Sequence, residues 1–220
     1  MSEKAVSERS RLQNILHWIL GMIICDLGIC LCTKANFGLS MISAPPYILH
    51  VWLRDTFSWF TQGTAEYVWQ AVVFVAVCLV IRKFKFSYLL SFLAAVVTGI
   101  IIDGWFLVLG GNGAARILWV RILFLAVGTC LTALGVALMF RTDLPIQVPE
   151  LAVARLAEKW GKTTEKTKFI YDVFMLCVTL AFTFIFTGKL TGVGIGTLVL
   201  TFGNAPLIGF FGKLIDKHHL

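Results

Sequence analysis

The sequence predicts an all-α, polytopic membrane protein with six transmembrane helices, and three observations carry that prediction. Hydrophobic residues make up 58% of the 220 and charged residues only 14%, where soluble domains carry about a quarter charged. The mean hydropathy of +0.85 is more apolar side chain than a domain this small can hide, because small domains keep much of their surface in water. Six stretches also approach the roughly 20 largely apolar residues that cross a bilayer.

The first stretch, Leu16–Cys32, follows the basic residues Lys4, Arg9 and Arg11. Its apolar run is longer than that of a signal peptide and no small-residue cleavage site follows, so it reads as a retained anchor. The connector Leu39–Leu53 is apolar and contains Pro45-Pro46. It is too short to cross, which leaves a re-entrant or an interfacial segment. The second span, Tyr67–Ile81, is short, with Glu66 and Gln70 near its start. The third is Phe86–Leu109 and the fourth Ile117–Phe140. After it, Pro149 opens a helix with Val153, Leu156, Ala157 and Trp160 on one face and Arg155, Glu158, Lys159 and Lys162 opposite. That pattern predicts an amphipathic helix in the headgroup plane. The fifth span is Phe169–Thr187 and the sixth Thr191–Phe211. In the sixth, Asn204-Ala205-Pro206 predicts a break that frees backbone carbonyls.

The formal charge of +7 does not point to nucleic acid, because the cations flank the apolar segments. With the N-terminus cytoplasmic, 14 of the 19 Lys and Arg fall on inside segments, as the positive-inside rule requires. The topology expected is a multi-pass protein of the bacterial plasma membrane with both termini cytoplasmic. Cys25, Cys30, Cys32, Cys78, Cys130 and Cys177 all lie in predicted spans without metal-ligand spacing, so they read as small apolar residues. No metal site or cofactor is expected.

Shifting the chain by 107 residues lays the first span on the fourth: Gly21 meets Gly128, Leu27 meets Leu134, Gly28 meets Gly135, Lys34 meets Arg141 and Asn36 meets Asp143. Two glycines seven apart share a helix face, where small residues let backbones approach closely. At slightly smaller shifts Trp69 meets Tyr171, and Ser91 meets Thr197. The chain therefore divides into halves, 1–112 and 113–220, of three spans each and one interfacial helix each. An odd number of spans inverts the second half, giving a 3+3 inverted-topology repeat within one integral membrane domain.

Several runs resemble the YczE-like bacterial membrane proteins and, more distantly, the YitT-like group. They are Gly28 through Lys34-Ala35-Asn36-Phe37-Gly38-Leu39-Ser40, continuing to Pro46 and Leu49-His50; Trp160-Gly161-Lys162-Thr163-Thr164; and Gly192-Val193-Gly194-Ile195-Gly196-Thr197. The chain departs from that pattern at Pro45-Pro46-Tyr47 and at Leu144-Pro145-Ile146-Gln147. The resemblance implies a multi-pass membrane protein and no particular substrate.

An ionisable group near the bilayer centre costs about 2.5–3.5 kcal/mol on insertion scales and so marks function by default. Asp26, Thr98, Asp103 and Asn204 are the candidates for a solute or ion site near mid-membrane; Asp26 also reads as an acid hydrogen-bonded to a neighbouring helix, and Asp103, near the end of its span, as an interfacial helix end. Lys34 and Arg141, at the ends of the matched helices, are candidates for an anion or for lipid headgroups. Glu66 and Asp172, at helix starts, read as caps favoured by the helix dipole. No esterase, zinc-protease or phosphate-loop motif occurs, so no enzyme is expected. The function expected is secondary transport of a small solute or ion. The rival is a non-transporting scaffold or regulator whose basic connector binds a partner or anionic lipid. The partners are then the bilayer and a small solute or ion, and a second copy of the chain is the protein partner this class permits.

Overall fold

The structure, a computed structural model, describes residues 11–82, 86–142, 144, 147–162, 164–189 and 191–217. The Asp143 match, Pro145-Ile146 and Thr163 of the sequence reading lie outside these residues.

Among the described residues there are eight α-helices: α1 Arg11–Ala35, α2 Ala44–Leu53, α3 Gln62–Ile81, α4 Phe86–Val108, α5 Leu118–Met139, α6 Val148–Trp160, α7 Thr164–Phe182 and α8 Ile195–Lys217. A π-helical turn, Thr183–Thr187, extends α7. Six of these are long and apolar enough to cross a membrane: α1, α3, α4, α5, α7 with its extension, and α8. That is the architecture of a multi-pass membrane protein. Their outward faces carry large apolar side chains such as Leu79, Leu107, Trp119, Ile185 and Phe202, which lipid solvates and water does not.

The centre of the fold is the crossing of α1 and α5. A Cβ added to Gly28 would lie 2.6 Å from the Gly128 carbonyl oxygen, and one on Gly128 would lie 2.8 Å from that of Gly28. Likewise Gly21 and Gly135 meet, at 2.9 and 2.5 Å. Residue 21 faces 135 and residue 28 faces 128, so the two helices run antiparallel with backbone against backbone. The second layer of contacts is paired in the same way. Gly28 meets Thr132 while Gly135 meets Cys25, and Gly21 meets Met139 while Gly128 meets Cys32. Each contact becomes its partner when 107 is added to one residue number and taken from the other.

The helix-end cations follow suit. Lys34 Nζ donates to the carbonyls of Leu109 (3.0 Å) and Gly111 (2.8 Å), closing the C-terminus of α4. Arg141 grips Asp216 near the C-terminus of α8 through two bonds of 2.7 and 2.6 Å.

Helix α3 begins five residues before the apolar window suggests. Thr61 caps it, accepting from the backbone N–H of Thr64. The polar residues of its first turns, Gln62, Glu66 and Gln70, are buried inside the bundle. Helix α8 runs through Pro206 without a break. The proline leaves the carbonyl of Phe202 without its helical donor, but the rod is continuous, and the expected interruption is absent. Of its glycines, Gly203 and Gly209 have no atom within 4 Å of an added Cβ. Gly209→Ala therefore meets no clash and gains helix propensity; it is expected to leave stability unchanged or raise it by up to about 1 kcal/mol, measured by thermal unfolding of the purified protein.

The two connectors are half-length helices that enter the bundle. Each carries proline in its first turn, Pro45-Pro46 and Pro149, where the missing N–H costs nothing. Helix α6 lies lengthwise on α3: Val148, Ala152, Val153 and Leu156 pack with Trp69, Val73 and Val77, and with Tyr171 and Met175 of α7. At its start Gln147 Nε2 donates to Thr98 Oγ1, 3.1 Å away at the middle of α4. At its end Lys159 donates to the Val80 carbonyl at the foot of α3. The interfacial placement expected for this helix is thus corrected over most of its length: Val153, Leu156 and Ala157 of its apolar stripe are buried against protein, and Trp160 at its end is exposed. Helix α2 is its counterpart. It starts near Ile29, Thr132 and Asn204, in the middle of α1, α5 and α8. It ends where His50, its basicity lowered by burial, donates from Nδ1 to the Phe60 carbonyl at 2.9 Å. That bond leaves Nε2 to accept from Asn112. Since α2 ends beside the start of α3 and α6 beside its end, the half-helices emerge at opposite ends of the bundle.

Candidate functional site

Three residues of one stripe on α3, Gln62, Glu66 and Gln70, recur at four-residue intervals and so share a face. All three are at most 2% exposed. Gln70 Nε2 donates to Glu66 Oε1 at 3.3 Å, and Gln62 Nε2 donates to Thr33 Oγ1 of α1 at 3.3 Å. Helix α1 runs parallel to α4 (Cys30 at Ile102, Lys34 at Leu109) and α3 antiparallel to it (Gly63 at Asp103, Phe74 at Phe92), so α1 and α3 are antiparallel and the Gln62–Thr33 bond gives their relative level. Seven residues back along α1, about 10 Å at 1.5 Å per residue, lies Asp26. It is therefore level with the stretch from Glu66 to Gln70.

Asp26 is 0% exposed, and neither carboxylate oxygen has a hydrogen-bond partner. Glu66 Oε2, Gln62 Oε1, Gln70 Oε1 and, in the first turn of α6, Glu150 Oε2 are also buried without a partner. Asp26 and Glu66 are close enough to interact electrostatically, as are Glu66 and Glu150. Among the described residues no Lys or Arg forms an ion pair with any of the three acids. The middle of the bundle therefore holds buried acid oxygens without partners, alongside unpartnered donors at Trp69 Nε1, Thr167 Oγ1 and Tyr171 OH. In a low-dielectric interior such oxygens must take up a proton, a cation or a donor from a bound solute.

The sequence candidates fall into three places. Asp26 is at the centre, and Thr98 is close to its level, since Cys30 meets Ile102 and Lys34 meets Leu109 along the parallel pair α1 and α4. Asn204 lines a small recess with Ser40, Ser43 and Thr132 at the start of α2, and its Oδ1 is buried without a partner. Thr98 and Asn204 thus serve the two half-helices alike, one beside Gln147 and the other beside Ser40.

Asp103 is elsewhere. Its carboxylate accepts from the Gly63 backbone N–H at 2.9 Å and from Thr61 Oγ1 at 2.5 Å, capping α3. Asp103→Ala should cost about 1–2 kcal/mol of stability, with Asp103→Asn recovering part of it, read from denaturant unfolding in detergent. Lys34 and Arg141 spend their donors on helix ends. Asp172 pairs with Lys168 at 2.6 Å, one turn away on α7.

Sequence reasoning missed Glu66 as a core acid, together with Gln62, Gln70 and Glu150. Glu66 lies in the second turn, past the range where a side chain caps a helix start; Thr61 and Asp103 do that work. The signal was present as a polar residue every fourth position from Gln62 to Gln70. Among the described residues no three His, Cys, Asp or Glu side chains group as metal ligands, and all six cysteines are free thiols.

At one end of the bundle the loop after α1 clasps the loop before α8. Leu39 N–H donates to the Gly192 carbonyl at 2.8 Å, and Gly196 N–H donates to that of Phe37 at 2.7 Å. Gly38 has φ of +107°, and a Cβ on it would lie 2.5 Å from Gly194 N. This clasp accounts for the glycines at 192, 194 and 196. Beside it lies an open cleft of about 490 Å³ bordered by Asn36, Arg54, Lys189 and Thr191.

The sequence profile of a family described as "Family of unknown function (DUF6198)" matches residues 12–213. A protein of Bacillus subtilis (strain 168), "Uncharacterized protein YyaS", is 26% identical over 208 residues, which cover 93% of this chain and 95% of its own. No solved structure matches.

Proposed function

This chain belongs to the DUF6198 family of unknown function, and we propose that it is a secondary transporter that carries a small solute or ion past a polar site at the centre of its bundle. The observation that carries the reading is two buried acids without an ion-pair partner among the described residues, Asp26 within α1 and Glu66 in the second turn of α3. Unpaired acids at that depth are costly to keep, and selection for folding alone would replace them.

The architecture supports the same reading. The antiparallel contacts of α1 with α5 exchange under a shift of 107, and the two helix-end clamps and the two proline-started half-helices correspond in the same way. These are the relations expected of halves 1–112 and 113–220 as an inverted repeat, the plan on which many secondary transporters rock about a central site. The correspondence is incomplete: α3 packs along α4, whereas α8 packs chiefly on α5. The resemblance to YczE-like proteins fits this plan, as does a plasma-membrane location with both termini cytoplasmic. The scaffold reading rests on Arg155, Lys159 and Lys162; Arg155 pairs with Glu158 at 2.7 Å and Lys159 holds the end of α3, while Lys162 is exposed beside the Trp160 ring.

Alternating access can be tested without knowing the solute. Cysteine is introduced at Thr98 or at Asn204, with the outward-facing Cys130 and Cys177 replaced by serine, in vesicles of known orientation. A membrane-impermeant thiol reagent is expected to reach each position from both sides. Protection of both positions from both sides, in folded protein, contradicts transport.

A further inference from the structure

We propose that the cleft beside the clasp is a binding site for an oxyanion, a phosphate or carboxylate group, seated between Arg54 and Lys189. Charge placement is the first observation. On the topology proposed above, Lys34, Arg54, Arg116, Arg121 and Lys189 lie on the outer segments, the side that disfavours cations. Two of them hold the fold. Lys34 grips the end of α4. Arg121 donates from Nε to the Ala35 carbonyl at 2.7 Å and from Nη2 to that of Asn36 at 2.8 Å, while stacking on Phe37. Among the described residues Arg54 and Lys189 have no such task, and both line the one cleft.

An aromatic contact brings the two cations together. Trp52 of α2 and Phe186 of the π-helical turn stack with ring centres 4.5 Å apart. Arg54 follows two residues after the first ring and Lys189 three after the second. No acid is among the residues that line the cleft. Asp55 reaches Arg54 Nε at 3.6 Å, but its side chain is 87% exposed and water screens the pair. The volume of about 490 Å³ is that of a small-molecule site, roughly 300–1,000 Å³. A guanidinium beside an ammonium suits a group with two or three oxygens, and Tyr47 and Val51 give an apolar wall to whatever carries it. Helix α8 starts at the cleft with Ile195, so the positive end of its dipole adds to the field. Gly38 borders the cleft, and the next residue, Leu39, borders the recess of Asn204. A wall one residue thick parts the two. On the transport reading the cleft is the entrance for the solute, but anion binding there does not depend on it.

The test is calorimetric titration of phenyl phosphate, an oxyanion on an apolar ring, into the purified full-length protein in phosphatidylcholine nanodiscs. Saturable binding near one per chain is expected, and added salt should weaken it. Arg54→Gln and Lys189→Gln should each weaken it about tenfold, and the double variant should abolish it. Arg116→Gln, at an exposed cation outside the cleft, should bind as wild type. Arg54 and Lys189 are surface residues, so all variants are expected to keep the wild-type melting temperature, which is followed alongside. Nanodiscs containing phosphatidylglycerol identify the source of the anion. Loss of phenyl phosphate binding there marks a lipid headgroup as the occupant, and unchanged binding marks a soluble anion; either result keeps the site. Folded wild-type protein with no saturable binding in phosphatidylcholine overturns the proposal, and so does binding that survives the double variant or falls equally in Arg116→Gln. If binding fails while Thr98 and Asn204 are reached from both sides, the cleft site falls and the transport reading stands. If binding holds while both positions are protected, transport falls and the cleft site stands.

Discussion

Gly28→Leu is expected to yield no folded protein, and Gly28→Ala to lose about 3 kcal/mol of stability. The reason is local and steric. A Cβ at residue 28 would lie 2.4 Å from Thr132 Oγ1 and 2.6 Å from both the Gly128 oxygen and Thr132 N. Two of those three atoms are backbone and cannot swing aside, so α1 and α5 must separate along their whole contact. Without a hydrophobic force between helices in lipid, that close packing is what holds the pair together. Gly135→Ala, its counterpart under the shift of 107, should cost a similar amount, since its Cβ would lie 2.5 Å from both Cys25 N and the Gly21 oxygen. Gly104→Ala is the control, because nothing lies within 4 Å of its added Cβ. Unfolding curves in a denaturing detergent series measure all four. A Gly28→Leu protein that melts like wild type would remove the crossing from the centre of this account.

The second large effect has opposite signs in two assays. Asp26→Leu keeps the branched shape of the side chain and removes two buried oxygens that lack partners. It should raise stability by about 1–3 kcal/mol. The same change should abolish solute or ion flux in reconstituted vesicles. A structural aspartate would behave otherwise, because its loss would break hydrogen bonds and lower the melting point. A destabilised Asp26→Leu protein therefore counts against a functional role for this residue.

Much of the fold was legible. The seven-residue spacing of Gly21 and Gly28, repeated at Gly128 and Gly135, pointed to close helix packing, and those four residues meet one another in the structure. Lys34 and Arg141 matched in sequence and do matching work, although as clamps on helix ends. The half-helices were legible in length but not in placement. An amphipathic pattern such as Val153, Leu156 and Ala157 states that one face is apolar, not whether lipid or protein covers it. Proline at 206 signalled a break, yet a helix keeps its course through a single lost bond when its neighbours hold it.

The site was half legible. Asp26 stood out because it interrupts an apolar run, and it is indeed unpartnered at mid-span. Glu66 was set aside because apolar windows trim polar residues from helix ends, and its helix begins a full turn earlier than the window. Asp103, near the end of its span, reads in sequence as an interfacial helix end as well as a site candidate; the neighbouring loop, with Thr61 and Gly63 within bonding distance, makes it a cap on α3. Which buried acid has partners is a question of tertiary contact, and no local pattern answers it.

Side-specific labelling of the two half-helix ends is the most direct measurement. A single cysteine replaces Asp55, beyond α2, or Lys162, beyond α6; both positions are solvent-facing. In intact cells an impermeant reagent is expected to label Asp55→Cys, and to label Lys162→Cys only after the membrane is opened. Labelling of both from the same side would contradict the inverted pairing of the halves and the central site built upon it.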